Sequence, residues 1–299
     1  MASGGTAAGD AAEVARYWQH SGVAGVDLLR ARFVTHRYGR HAHETYTLGV
    51  IETGVEEFEY RGSLLRAGPG AVALLNPEVV HTGQAAVPGG WSYRVFYPAV
   101  EVITSIAAEL GWRDGMPTFP ETVIYDPRSA QLLHGAHVAA ERGDRLASSS
   151  LLRTAIAGLL AAHATAAQGA GASRYGRAPA AVAQTRELLM ERLADPPSLD
   201  ELAATTGLGP FALLRAFRAE TGLPPHAYLN QLRVRQARYL LDGGLAPAEV
   251  AAHTGFADQA HLTRHFKRVV GVPPGAYQRE RRPAPGQAKT CKTARPAGS

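Results

Sequence analysis

Three groups of residues in this chain have the chemistry to recognise something. Gln259, His261, Arg264, Lys267 and Arg268 lie within ten residues of one another. A carboxamide and a guanidinium near the start of a helix have the donor geometry for adenine and guanine edges, and cations further along suit phosphates. His41, His43 and His81 offer a His-x-His pair and a distant third imidazole, a set that can ligate a transition metal. Cys291 is the only thiol, and in a polar tail it has none of the surroundings that activate a thiolate.

The first group belongs to a structural unit written twice. Ala203-Ala204, Gly207, Phe217, Gly222, Pro224-Pro225 and Tyr228 recur as Ala251-Ala252, Gly255, Phe266, Gly271, Pro273-Pro274 and Tyr277. Such a short period marks a repeated supersecondary unit, and two helices around a tight glycine turn predict a helix-turn-helix. In the first copy Ser198 and Glu201 read as a capping box, Gly207 as a left-handed stop, and Pro210 as the first residue of a second helix. Helical spacing turns Leu213 and Phe217 inward and Phe211 and Arg215 outward. In the second copy Asp258 caps a helix over 259–270, with Leu262, Phe266, Val269 and Val270 inward. Ala260, His261, Arg264, Lys267 and Arg268 face away. Between the copies, residues 225–241 read as a helix carrying Arg233, Arg235 and Arg238, able to hold two recognition helices one DNA turn apart.

Charge agrees with this placement. The 299-residue chain nets +5, and residues 182–283 and 284–299 each carry +3 while residues 1–181 net −1. A basic end suits a polyanion. An apolar fraction of 45% is too high for a disordered chain. No run reaches membrane-spanning length, residues 1–20 lack a signal-peptide core, and one cysteine fits a reducing cytoplasm.

The N-terminal part has the opposite texture. From about Phe33 to Tyr97, β-rich runs at 45–51, 55–60, 71–75 and 91–97 alternate with glycine turns, which predicts a small sandwich or barrel. Residues 128–142 and 149–168 have helical spacing, with Leu151, Leu152, Ala155, Leu159 and Ala162 on one face. The segment GAGASRYGRAP reads as a flexible linker, and residues 1–12 and the last 16 or so read as unfolded. The expected organisation is a sensor domain over 1–125, a helical connecting or dimerisation segment over 126–168, a linker over 169–181, a DNA-binding domain over 182–283 and a basic tail over 284–299.

Residues 182–282 resemble the DNA-binding domain of the AraC/XylS family of bacterial transcription regulators. The resemblance is carried by Ser198-Leu199, Leu202-Ala203, Gly207-Leu208, Leu213, Arg215, Phe217 and Gly222. In the second copy it is carried by Val250-Ala251, Gly255-Phe256, Gln259, Leu262, Arg264 to Arg268, Gly271 and Pro273-Pro274. Position by position, it implies base contacts from Phe211, Ala212, Leu214, Arg215, Gln259, Ala260, His261, Thr263 and Arg264, with Lys267 and Arg268 on phosphates. The first helix departs from the family's polar pattern. It offers only Arg215 as a strong hydrogen-bonding reader, with Phe211 and Leu214 placed for thymine methyls.

The segment around HAHETYTLGV, GPGAVALLNP and His81 is similar to the cupin-like effector domain that often precedes this unit. The resemblance implies an α+β protein, with a cupin-like barrel, connecting helices and an all-α double helix-turn-helix. It implies a small-molecule effector inside the barrel, for which His43, Tyr46, His81 and Tyr93 are candidates. Metal-binding cupins place a Glu three or four residues after the His-x-His; here Glu44 follows directly, so no metal or other cofactor is expected. Ligand contact, core packing and plain surface all remain open for the histidines. The implied function is sequence-specific, effector-responsive regulation of promoters, without enzymatic activity, in the cytoplasm. Implied partners are double-stranded DNA, the effector, a second copy of the chain through 126–168 and, for an activator, RNA polymerase, but no membrane. The alternatives are a metal-dependent cupin dioxygenase or isomerase with an accessory DNA-binding tail, and an alkyl-transfer repair protein, which Cys291 serves poorly.

Overall fold

The structure is a computed structural model that describes residues 13–113, 115–166 and 178–281. The expected unfolded N-terminus, the basic tail with Cys291 and most of the expected linker lie outside these residues.

The first half is β-rich. Its strands are β1 (Val14–Gln19), β2 (Val26–Phe33), β3 (Tyr38–His41), β4 (Thr47–Gly54), β5 (Glu56–Tyr60), β6 (Ser63–Ala67), β7 (Val72–Leu75), β8 (His81–Ala85) and β9 (Trp91–Pro98). Then follow α1 (Val100–Glu109), β10 (Pro117–Thr118), β11 (Val123–Ile124), α2 (Pro127–Glu141), α3 (Arg145–His163) and β12 (Thr165–Ala166). One antiparallel sheet runs β1-β2-β9-β4-β7-β11 and faces a second ordered β3-β8-β5-β6. β1, β2, β3, β6, β8 and α1 were not anticipated in the sequence. β2 reads VDLLRARF, where Leu28 and Leu29 are both fully buried because the large sheet is covered on both faces. Strict alternation is therefore lost.

One face of that sheet, with Leu29, Ala31, Phe33, Ile51, Tyr93, Val95 and Tyr97, lines the interior between the sheets. The other, with Leu28, Tyr46, Leu48, Val50, Leu74 and Phe96, packs against α1, α2 and α3. Asp126 and Asp144 cap α2 and α3 through backbone N–H groups, so both helices begin earlier than their periodicity suggests. Leu133, Leu152, Ala155, Ile156, Leu159 and Leu160 are buried against the sheet, while Ala162 is exposed. These helices brace the barrel, and of the apolar positions read in the sequence Leu132 and Leu151 are half-buried.

The second half is helical: α4 (Ala178–Glu191), α5 (Leu199–Thr206), α6 (Pro210–Thr221), α7 (Pro225–Asp242), α8 (Pro247–His253), α9 (Gln259–Val270) and α10 (Pro274–Arg281). α4 begins inside the stretch read as linker. The repeat is structural throughout. Gly207, Gly222, Gly255 and Gly271 all adopt left-handed φ between 68° and 86°, ending successive helices of the two copies. Phe217 meets Tyr228 edge-on at 5.4 Å, and Phe266 meets Tyr277 likewise at 5.2 Å.

The copies differ in what they pack against. The first closes its own core around Val182, Leu189, Leu202, Leu213, Phe217 and Leu229. The second shares the barrel's core, where Val234, Phe256, Leu262, Phe266, Val270 and Tyr277 join Tyr17, Phe33, Tyr38 and Tyr97. Charge reinforces the joint. Asp27 on β2 accepts from Arg238 of α7 at 2.8 Å and Arg281 of α10 at 2.5 Å, and Arg16 pairs with Glu280. Arg235 binds Glu44 and Glu78. Two of the three arginines on α7 thus hold the barrel, and Arg233 is buried on the carbonyls of Leu193 and Ala194.

Candidate nucleic-acid interface and effector cavity

The two helices expected to recognise a ligand are built alike. α6 starts at Pro210, where a missing N–H costs nothing, and α9 starts from Asp258, whose carboxylate accepts from the His261 N–H at 2.6 Å. Leu213, Phe217, Leu262 and Phe266 are fully buried, which fixes the outward faces. Phe211 is 77% exposed, an unusual position for so large an apolar ring, and Arg215 is exposed one turn later. Ala212 and Leu214 are half-buried beside them. On α9, Gln259, Ala260, Arg264, Lys267 and Arg268 are exposed, whereas Thr263 is half-buried and returns its hydroxyl to the Gln259 carbonyl at 2.8 Å.

His261 is less free than its spacing suggested. Its ring packs on Phe256 and His265 at 5.2 and 4.8 Å, and its Nδ1 accepts from the Ala257 N–H. The stem of Arg268 lies against Gly39 of β3, so close that a Cβ there would meet its Cδ at 2.7 Å. Part of the surface expected to face phosphates is therefore turned towards the barrel.

Inside the barrel is a cavity of about 40 Å³ lined by Tyr38, His41, His43, Thr47, Glu56, His81, Tyr93 and Tyr97, among others. His43, His81 and Tyr93 are brought together as expected. Tyr46 is not: it precedes β4 and packs with Leu48 on the opposite face, where its hydroxyl donates to the Pro117 carbonyl at 2.5 Å. Tyr38, His41, Glu56 and Tyr97 were missed. His41 was visible in the His-x-His pair; for Glu56 and Tyr38 only correct strand parity would have served.

The cavity's groups are held uncharged. Burial lowers the imidazole of His81 to about 4 and those of His41 and His43 well below their ordinary range, the neighbouring histidines adding to the effect for the latter two. Burial raises the Glu56 carboxyl to about 8. The Tyr38 and Tyr93 hydroxyls lie 2.9 Å apart. A second small crevice, bordered by α7 and α9, also has His43 and Tyr97 in its lining.

The described helices that present the recognition residues, and the barrel wedged against them, define a two-domain DNA-binding regulator with a ligand-binding domain. Residues 23–156 match the AraC-like ligand binding domain family and residues 202–280 a helix-turn-helix domain family. The chain belongs to the AraC family of transcription regulators. It is 26% identical over 238 residues to the HTH-type transcriptional regulator YbfI of Bacillus subtilis, covering 79% of this chain and 86% of that protein. It is 25% identical to the transcriptional activator RhaR of Cronobacter sakazakii, over 85% and 91% of the two chains. Among solved structures, ToxT from Vibrio cholerae shares the fold, with a TM-score of 0.54 at 12% identity over 86% of this chain and 98% of that one. No helix among the described residues is long and apolar enough to cross a membrane.

Proposed function

We propose that the barrel cavity senses a small molecule and that its occupancy sets how the second helix-turn-helix is docked. The observation that carries this is the shared core: Tyr38 lines the cavity and also abuts Gly271, the last residue of the α9 cap. A ligand that moves Tyr38 acts directly on the end of a recognition helix. The signal then crosses the β3–α9 and β2–α7 contacts.

In this reading Gln259 and Arg264 read bases in the major groove, with Ala260, Thr263 and His261 as close neighbours of the base edges. Lys267 and Arg268 hold phosphates. Arg215, with Phe211, Ala212 and Leu214, positions α6 and senses thymine methyls. His43, His81 and Tyr93 contact the effector, and Tyr46 stays structural. The protein works in the cytoplasm on promoter DNA and carries out no catalysis. Any pairing of copies uses surface other than the buried apolar residues of α2 and α3, and contact with RNA polymerase follows if it activates. The domain limits are those of the sequence reading, with α4 moved into the DNA-binding half.

Selection of bound duplexes from a random pool by the full-length chain tests the reading. A defined motif with two half-sites about one helical turn apart, and affinity falling steeply with salt, is the expected result. No enrichment, or binding indifferent to salt, would overturn it.

A further inference from the structure

We propose that His41, His43 and His81 form a binding site for a single divalent transition-metal ion of borderline character, such as Zn²⁺ or Co²⁺. One ring nitrogen from each lies within 4.8 Å of the others. Nitrogens around a tetrahedral zinc, each about 2.0–2.1 Å from the metal, stand roughly 3.3 Å apart, so the three imidazoles need to close by only about 1–1.5 Å. His41 and His81 are almost wholly buried, at 2% and 7% exposure.

Two of the rings already have their tautomer fixed by the backbone. The Nδ1 of His41 donates to the Gly39 carbonyl at 2.8 Å and that of His81 to the Val79 carbonyl at 2.9 Å. A carbonyl can only accept, so the proton sits on Nδ1 and the lone pair on Nε2. This backbone anchoring is how metal-bound histidines are usually fixed. The cavity has room for an ion with a water or two, and at about 40 Å³ it is too small for an organic ligand of several hundred Å³ without rearrangement. Thr47 lines the same cavity, and its buried hydroxyl has no hydrogen-bond partner among the described residues. Nearby cations do not forbid the ion, because Arg238 is neutralised by Asp27 and Arg235 by Glu44 and Glu78.

Three protein ligands leave a coordination position open. A small molecule with a carboxylate, carbonyl or hydroxyl oxygen can complete it, which gives the sensor a chemical handle that packing alone does not supply. The carboxylate displaced in the sequence, Glu44, is not part of this set and pairs with Arg235. The site is therefore an all-histidine one, and it stands whether or not the DNA-binding reading holds.

The full-length chain, stripped with chelator and titrated with Co²⁺ alone, tests this. Binding of one equivalent with d–d absorption, displaced by Zn²⁺, is expected. His43→Ala and His81→Gln should each weaken binding by at least about tenfold. His20→Gln, a buried histidine outside the cluster, should leave it unchanged. Failure of the wild-type chain to bind stoichiometrically, or equal binding by the His43 and His81 variants, would overturn the site. Should those variants not fold, long-range ¹H–¹⁵N spectra of the wild-type chain decide: three imidazoles shift on Zn²⁺ addition if the proposal is right, and none shift if it is wrong.

Discussion

The hydroxyl of Tyr38 lies against Gly271 so closely that a Cβ at position 271 would collide with it. The same hydroxyl is 2.9 Å from that of Tyr93. A residue that ends α9 and a residue that lines the barrel cavity thus occupy neighbouring space, 233 positions apart in sequence. Gly271 has φ +86°, where a side chain costs roughly 1–2 kcal/mol even in open space. Gly271→Ala is expected to destabilise the chain by more than that, because Tyr38 must also move. Urea unfolding measures the loss. Gly207→Ala, also left-handed but with nothing within 4 Å, should cost only the backbone term.

How far the sequence foretold this depends on whether a feature is local. The repeat, its caps at Ser198, Gly207 and Asp258, the helix start at Pro210, and the inward pairs Leu213–Phe217 and Leu262–Phe266 rest on contacts within a few residues, and they appear where expected. The cavity was half visible. His43, His81 and Tyr93 converge, but Tyr46, just ahead of β4, lies on the other face; the start of β4 is buried on both sides, which masks its parity. The docking of the two halves was not visible at all. Asp27, Arg238 and Arg281 look like ordinary surface charges until a shared core brings them together.

Asp27 is the single carboxylate between Arg238 and Arg281 at the joint, and it also accepts from the Tyr17 hydroxyl at 3.0 Å. Removing one partner of a buried ion pair costs about 3–5 kcal/mol; Arg281 retains Asp242, so a smaller loss is expected here. Asp27→Asn should lower stability by about 2–4 kcal/mol. It should also speed protease cleavage between the halves relative to cleavage within the barrel. Unchanged cleavage would show that the joint does not depend on this charge.

Arg264 and Lys267 should separate on DNA. Arg264→Ala is expected to lower affinity for the selected site by about 1–3 kcal/mol and to relax preference at one base pair. Lys267→Ala should weaken all sequences alike and reduce the slope of log affinity against log salt by about 1. Arg215→Ala tests the first helix in the same way. If affinity and base preference survive it unchanged, α6 makes no reading contact through that guanidinium.

The pH dependence of stability should carry the mark of His137, which has no solvent exposure. It sits on α2 beneath the large sheet, with Trp18 and Phe96 edge-on to its ring. The Arg94 guanidinium donates to its Nδ1 at 3.0 Å, and its Nε2 is 3.3 Å from the Leu29 carbonyl, so the neutral ring is protonated on Nε2. Burial first, then the charge of Arg94, brings its pKa down to about 3; Arg30 and His134 add to this, and the Leu29 carbonyl opposes it. Glu141 lies 3.7 Å from Nδ1 but is engaged by Arg94, which Glu52 also holds. In the unfolded chain the imidazole titrates near 6.5, so between that pH and about 3 the unfolded state binds a proton that the native state refuses. Stability is full above pH 6.5 and falls as pH drops through this window, by up to about 1.4 kcal/mol per unit from this residue. His137→Gln should be less stable at pH 7 but flatter between pH 6 and about 4 by that slope. Parallel curves for the two proteins in chemical denaturation would show that His137 is charged in the native state.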